Sequence, residues 1–311
     1  MWKYTRKFSQ AILPVLLILL LTGCTGSEHY LANVSDADLL SMKSEIDANG
    51  KKYAARKNNR SDAANRAIVS RVFKRLYKKA QPLCDYTGYT SCKFEVIYDE
   101  SDVVNAYASE SSKITMFRGL MQYLRNDEET AFVIAHEMGH HLANHNQEKT
   151  RNAAVGATIS GVLTAVLLAA ANQNNPNYTV YQRQQDEQTV RNMTKTGAMM
   201  GALSYSKEEE READLLGQYL LVRSGYDLKK AERVLWILLD IETTGGDKIN
   251  QSAFGESHPA GPERLAAWRN TVKEIRNNPS KLPYKASEQP GQPAKATQKP
   301  QKVALPSRKP E

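Results

Sequence analysis

The sequence predicts an α+β fold that is mostly α, with a small three-stranded sheet packed on one central helix. Apolar residues recur at helical spacing in several long stretches between 35 and 276. Short strand candidates cluster between 94 and 117. Helix-start signals stand at Ser61, Asn126 and Ser206, each ahead of a periodic run.

Taken in order, Ser35–Asn49 reads as a helix with Leu39, Leu40 and Ile46 on one side. Ser61 caps a longer helix whose Ile68, Val69, Val72, Phe73 and Leu76 share a face. Phe94, Val96 and Tyr98 mark a strand, followed by strand candidates Val103–Ala108 and Lys113–Phe117 and the polar link Ser109–Ser112 between them. Asn126 and Glu129 form a capping-box pattern ahead of a helix carrying Phe132, Ile134, Ala135 and Leu142. Ser206 and Glu209 repeat that pattern before a helix that stops near Gly225. A helix over Leu228–Ile241, a loop marked by Gly245, Gly246 and Pro259, and a last helix from Pro262 to about Ile275 complete the body.

The stretch Ala153–Ala171 holds 19 residues without a charge. Its length suits a membrane span. A single crossing would separate His136 from Glu210, the two halves of the site described below. The segment is therefore read as a buried or membrane-facing helix, or a re-entrant piece, with an Ala-rich core helix as the plain alternative.

The formal charge of +8 sits in two appendages. Residues 1–23 carry Lys3, Arg6 and Lys7 and no acid; residues 277–311 carry seven basic residues against Glu288 and Glu311. The body from 24 to 276 is formally neutral, so no nucleic-acid partner is expected. The basic start, the apolar run Ala11–Leu21 and Leu21-Thr22-Gly23-Cys24 read as a signal peptide. The run is too short for the roughly 20 residues that span a bilayer. The tetrapeptide resembles the bacterial lipobox, which implies acylation of Cys24 and stable anchoring. Thr25 after it favours the outer membrane, with the outer face of the cytoplasmic membrane as the alternative. Residues 24–34 read as a tether reaching at most about 35 Å, 35–276 as one domain, and 277–311 as a disordered Pro/Lys-rich tail. In an exported chain Cys84 and Cys92 read as a disulfide.

The chemistry lies in His136-Glu137-Met138-Gly139-His140. Positions i and i+4 share a helical face, so both imidazoles can bind one ion, expected to be a single zinc per chain. Glu137 can reach a water acidified by that ion and act as general base. A third ligand is needed. A third histidine ten residues after the first is excluded, because Asn146 stands there. Glu210-Arg211-Glu212-Ala213-Asp214 offers Glu210 as the ligand, with Asp214 one turn on to orient an imidazole. Glu212 is the main rival to Glu210. His141 and His145 read as structural or supporting residues.

These residues, with Tyr205-Ser206, Gly217, His258-Pro259 and Arg264, resemble the zinc metallopeptidase family of HtpX and the CAAX prenyl proteases, among its exported members of the BepA and LoiP type. The resemblance covers roughly 60–275. It implies a gluzincin-like domain, proteolysis in envelope quality control, and unfolded or misassembled envelope proteins as substrates. It also implies that Asn105-Ala106-Tyr107 lie on an edge strand that pairs with an extended substrate. His258 and Arg264 become donors to the developing oxyanion, and His258 has a rival role as a fourth ligand that keeps the site latent. Outer-membrane assembly machinery is a further expected partner. A chaperone-like assembly factor with a repressed zinc site remains the alternative, and a cell-wall enzyme with its basic tail on anionic polymers ranks below both. The link Ser109–Ser112 departs from the family, which usually has Gly there.

Overall fold

Local capping chemistry starts several of the helices of the computed structural model, which describes residues 27–109, 111–173, 175–202, 205–244, 258–278 and 280–288. The signal segment, Cys24 and Thr25, and the tail from 289 lie outside the described residues. Helix α1 (Asp36–Asn49) opens at Ser35, whose hydroxyl accepts the Asp38 N–H while Asp38 accepts the Ser35 N–H. It buries Met42, whereas Leu40, expected on the apolar side, is exposed. Helix α2 (Asp62–Tyr77) buries Ile68, Val69, Val72 and Leu76, the stripe its spacing predicts. Helix α3 (Gln81–Thr87) follows, and the Cys84 and Cys92 sulfurs are at bonding distance, 1.98 Å.

The three strands are β1 (Glu95–Asp99), β2 (Ala106–Ser109) and β3 (Lys113–Phe117). They are ordered β1-β3-β2, with β1 parallel and β2 antiparallel to β3. β2 is therefore an edge strand. It starts at Ala106 rather than Val103, because the Asn105 N–H turns back to the Val103 carbonyl and the Asn105 side chain accepts the Ala106 N–H at 2.8 Å. In the link, Ser111 and Ser112 adopt φ of 62° and 61°, a conformation that glycine takes at less cost. The buried Ser112 hydroxyl donates to the Ser91 carbonyl at 2.7 Å, which anchors that turn.

Helix α4 (Arg118–Met121) leads into α5 (Asp127–Leu142), the buried axis of the fold. Asn126 accepts the Glu129 N–H at 2.9 Å, but Glu129 reaches back to the Arg125 N–H instead of completing the box. Every α5 residue from Glu129 to Leu142 is buried. β2 and β3 pack on one side of α5, and α8 (Lys207–Arg223) crosses another. That crossing is close. A methyl on Gly139 would meet the Ala213 carbonyl oxygen at 2.4 Å, and one on Gly217 would meet the Ala135 backbone at 3.2 Å. Ridges without side chains let the two backbones approach and bring α8's carboxylates opposite α5's histidines.

Between them, α6 (His145–Asn172) and α7 (Val180–Ala202) form a paired hairpin. His145 is the one buried residue of α6. The core-helix alternative for Ala153–Ala171 is thus corrected: Leu163 and Leu167 are exposed, because α7 covers only part of the helix. By length and composition α6 could cross a membrane. Helices α9 (Leu228–Ala231) and α10 (Arg233–Thr244) replace the single expected helix, broken at Glu232, and α11 (Pro262–Asn277) closes the body.

Two expected boundaries shift. Residues 27–34 are not a free tether, since His29 is 2% exposed and hydrogen-bonded to α8. Nor does packing stop at 277: the Tyr30 N–H donates to the Tyr284 carbonyl and the Ala286 N–H to that of Glu28. Antiparallel pairing between these two segments satisfies backbone groups that neither could satisfy alone.

Candidate metal centre

His136 and His140 project from one face of α5, a turn apart. Glu210 lies in the first turn of α8, placed by the complete Ser206–Glu209 capping box. His258 enters from the chain just ahead of α11. One ligand atom from each of these four residues lies within 4.8 Å of the others, and all four residues are buried. His136 Nε2 stands 3.1 Å from both His140 Nε2 and His258 Nδ1. Glu210 Oε1 is 2.8 Å from His258 Nδ1 and 3.3 Å from His140 Nε2.

Outside this set, the ligands are braced. His136 Nδ1 stands 2.9 Å from Asp214 Oδ1, which fixes the ring with its Nδ1–H on the carboxylate and its Nε2 lone pair toward the cluster. Arg264 donates from Nε and Nη2 to Asp214 at 2.7 and 2.9 Å. Its Nη1 pairs with Glu210 Oε2 at 2.8 Å and donates to the His258 and Pro259 carbonyls. Tyr205 stacks on His140 with ring centroids 3.6 Å apart, and its hydroxyl donates to Asn146. Lys149 sits over the other ring partner, its Nζ 3.2 Å from the Tyr205 centroid.

The electrostatics follow from burial and these partners. Burial holds the His140 imidazole well below its ordinary range, so it is neutral, as a ligand must be. For Glu210, burial pushes the carboxyl up, but His258, Arg264 and His136 bring it well below the usual range. Asp214 is likewise opposed by burial and held down by Arg264. His136 is raised: burial lowers it, but the Glu210 charge and the Asp214 hydrogen bond prevail.

This donor set fits zinc. Three ring nitrogens and one carboxylate oxygen converge in a buried space, all within 4.8 Å of one another, and four of their separations run from 2.8 to 3.3 Å. Ligand distances of about 2.0–2.1 Å in a tetrahedron give edges of about 3.3 Å. Glu137 adjoins the set. Both its carboxylate oxygens are buried without a hydrogen-bond partner, and Oε1 is 3.5 Å from His258 Nε2.

The fold thus brings His136, Glu137, His140, Glu210, Asp214, His258 and Arg264 together. Glu212, the expected rival, lies outside the four-donor group. His141 Nε2 contacts the Lys113 carbonyl at 3.2 Å, away from the cluster. His145 Nδ1 backs His140 Nδ1 at 2.9 Å. Arg264, expected as a donor to the developing oxyanion, lies behind the carboxylates of Asp214 and Glu210 with its guanidinium nitrogens all engaged. Burial would raise the Glu212 carboxyl, yet hydrogen bonds from His145 and His29 bring it down to about 2. Sequence reasoning missed His29 altogether. Its single signal was negative: it is the histidine farthest from the segment 136–145 and from 258 that the motif leaves unused.

A helix-borne His-Glu-x-x-His pair completed by a glutamate from a later helix defines the gluzincin class of metallopeptidase fold. The chain belongs to peptidase family M48, whose family model matches residues 70–272. The chain is similar to the "Beta-barrel assembly-enhancing protease" of Escherichia coli O157:H7, 28% identical over 198 residues that cover 62% of this chain and 37% of that protein. It is also similar to the "Mitochondrial metalloendopeptidase OMA1" of Arabidopsis thaliana, 30% identical over 183 residues, 58% of this chain and 32% of that protein. The protein of the same name from Schizosaccharomyces pombe is 26% identical over 197 residues, 63% of this chain and half of that protein. The chain spans little more than a third of the length of the first of these relatives.

Proposed function

We propose that this chain is a membrane-anchored, periplasm-facing zinc endopeptidase that hydrolyses misfolded or stalled envelope proteins. One observation carries the reading: the buried Glu137 carboxylate, with neither oxygen hydrogen-bonded and Oε1 3.5 Å from His258 Nε2, beside a cluster of three imidazoles and Glu210. Bound zinc supplies Lewis acidity, which polarises a carbonyl and acidifies water. His136, His140 and Glu210 would hold it. Glu137, with no hydrogen bond to break, takes the proton from the attacking water and returns it to the leaving amine. Asp214 and Arg264 keep His136 and Glu210 in place. The edge strand β2 offers main-chain groups to an extended peptide, which suits endopeptidase action with broad specificity. Relatives whose names are those of a beta-barrel assembly-enhancing protease and a mitochondrial metalloendopeptidase support endopeptidase action and a link to beta-barrel assembly. The anchor rests on Cys24, and Thr25 after it favours the outer membrane.

A second reading is favoured by His258. Its Nδ1 occupies the position of a fourth donor. In that reading the resting site is closed, and the chain acts chiefly as an assembly factor that holds clients. Digestion of casein or an unfolded envelope protein by the parent chain and by Glu137→Gln separates the two. The peptidase reading predicts cleavage by the parent and none by a variant that still binds metal; identical client processing by the two contradicts it.

A further inference from the structure

Behind His140 runs a file of buried polar side chains for which the peptidase reading has no use. His140 Nδ1 stands 2.9 Å from His145 Nδ1, and His145 Nε2 stands 3.3 Å from Glu212 Oε2. Glu212 Oε1 is 2.5 Å from His29 Nδ1 and also accepts the His29 backbone N–H at 3.1 Å. None of the four residues is more than 4% exposed. The file joins α5 to a segment that precedes the family-matched region 70–272.

Donor and acceptor roles along it are fixed from one end. If His140 Nε2 turns its lone pair to the metal, its proton is on Nδ1 and is donated to His145 Nδ1. His145 then carries its proton on Nε2 and donates to Glu212 Oε2. Glu212 accepts from the other side through both the ring and the backbone of His29. Every imidazole is neutral in this arrangement, and the chain of donors ends on one anion. Taking an ionised carboxylate out of water is costly unless such donors surround it. The same turn of α8 grips the segment again, since Arg211 Nη2 donates to the Ala32 carbonyl at 2.6 Å. Glu210, the metal ligand, and Glu212, the anchor of the file, flank that arginine.

We propose that Glu212 and His145 are positioning residues that fix the ring of His140 for the metal, and that the seating of residues 27–34 on α8 through His29 sets how tightly the metal is held. The inference rests on reading the four-donor cluster as a metal centre. Partners that orient a ligating imidazole typically contribute about 10- to 100-fold in metal affinity. Glutamine at 212 keeps the shape but must present an amide N–H₂ to one of two groups that are already donating. Alanine at 29 removes one of the two donors to Oε1 and loosens the segment that supplies the other.

The test uses the full chain, zinc affinity by chelator competition, and the visible spectrum of the Co²⁺-loaded protein. Glu212→Gln should weaken zinc by about 10- to 100-fold and shift the cobalt bands. His29→Ala should move both readings in the same direction by a smaller factor, and should add little on top of Glu212→Gln. A core cut elsewhere, Met42→Ala, should lower the melting temperature without moving either reading in the folded protein. Folded Glu212→Gln and His29→Ala chains that hold zinc as tightly as the parent, with unchanged cobalt spectra, overturn the proposal. A shift in Glu212→Gln alone overturns the role of the N-terminal segment. If Glu212→Gln does not fold, His29→Ala at the periphery decides by the same two readings. A parent chain that binds no zinc overturns the metal centre itself, and is distinguishable from a parent that binds one ion indifferently to these substitutions.

Discussion

Asp214 receives two N–H donors from Arg264, at 2.7 and 2.9 Å, on the same carboxylate that lies 2.9 Å from His136 Nδ1. One buried carboxylate therefore orients a ligand and anchors the cation that also pairs with Glu210. Asp214→Asn should weaken zinc by about 10- to 100-fold, because an amide cannot accept on both sides. Arg264→Met should act mainly on stability, by about 3–5 kcal/mol, since it leaves two buried carboxylates without their cation. Chelator competition and chemical denaturation, run on both variants, separate these effects.

The crossing of α5 and α8 depends on Gly139. A methyl there would lie 2.4 Å from the Ala213 carbonyl oxygen, which is backbone and cannot swing aside. Gly139→Ala should force the helices apart, cost about 1–3 kcal/mol and misplace Glu210 relative to His136. Gly217→Ala, whose methyl would meet backbone at 3.2 Å, should cost less. Urea denaturation of the two variants gives the ranking.

What the sequence made legible was local. His136 and His140 are four residues apart, so helical spacing alone put them on one face; Glu210 and Asp214 share a face by the same logic, on a helix whose start is marked by a capping box spanning four residues, Ser206–Glu209. His29 and Glu212 are 183 residues apart in the chain, and no periodicity connects them. The exposure of Leu163 and Leu167 was equally hidden, because an uncharged run of Ala, Val and Leu reads the same whether a neighbouring helix covers all of it or part. The mixed pairing of β1, β3 and β2 also escaped: alternation identifies a strand but not its partner or direction.

The strand reading of Asn105–Tyr107 makes its own prediction. Phe117 donates to the Asn105 carbonyl. Antiparallel alternation then turns Tyr107 and Ser109 toward β3 and the N–H groups of Ala106 and Ala108 toward the open edge. The Asn105 side chain already takes the Ala106 N–H, which leaves Ala108. Ala108→Pro should raise KM for peptide substrates several-fold with little change in melting temperature; an unchanged KM would separate this edge from substrate binding.

Arg269 ties α1 to the body. It donates to both Glu45 oxygens, at 2.6 and 2.9 Å, and to Glu232 at 2.7 Å. Hydrogen bonds from Arg269 hold the Glu45 carboxyl below its ordinary 4.5. A carboxyl depressed in the folded state stabilises it above the unfolded value, and that contribution fades as pH falls through the folded value. Arg269→Met should therefore cost about 1–2 kcal/mol near neutrality, and the difference from the parent should narrow as pH drops below 4.5. Denaturation midpoints of the two chains at several pH values show whether it does.

Elemental analysis of the purified full chain, alongside Glu210→Gln, should find one equivalent of zinc in the parent and markedly less in the variant after identical dialysis against a weak chelator. A parent without stoichiometric transition metal, or a variant that retains it as fully as the parent, contradicts the joint hold of His136, His140 and Glu210 on a single ion.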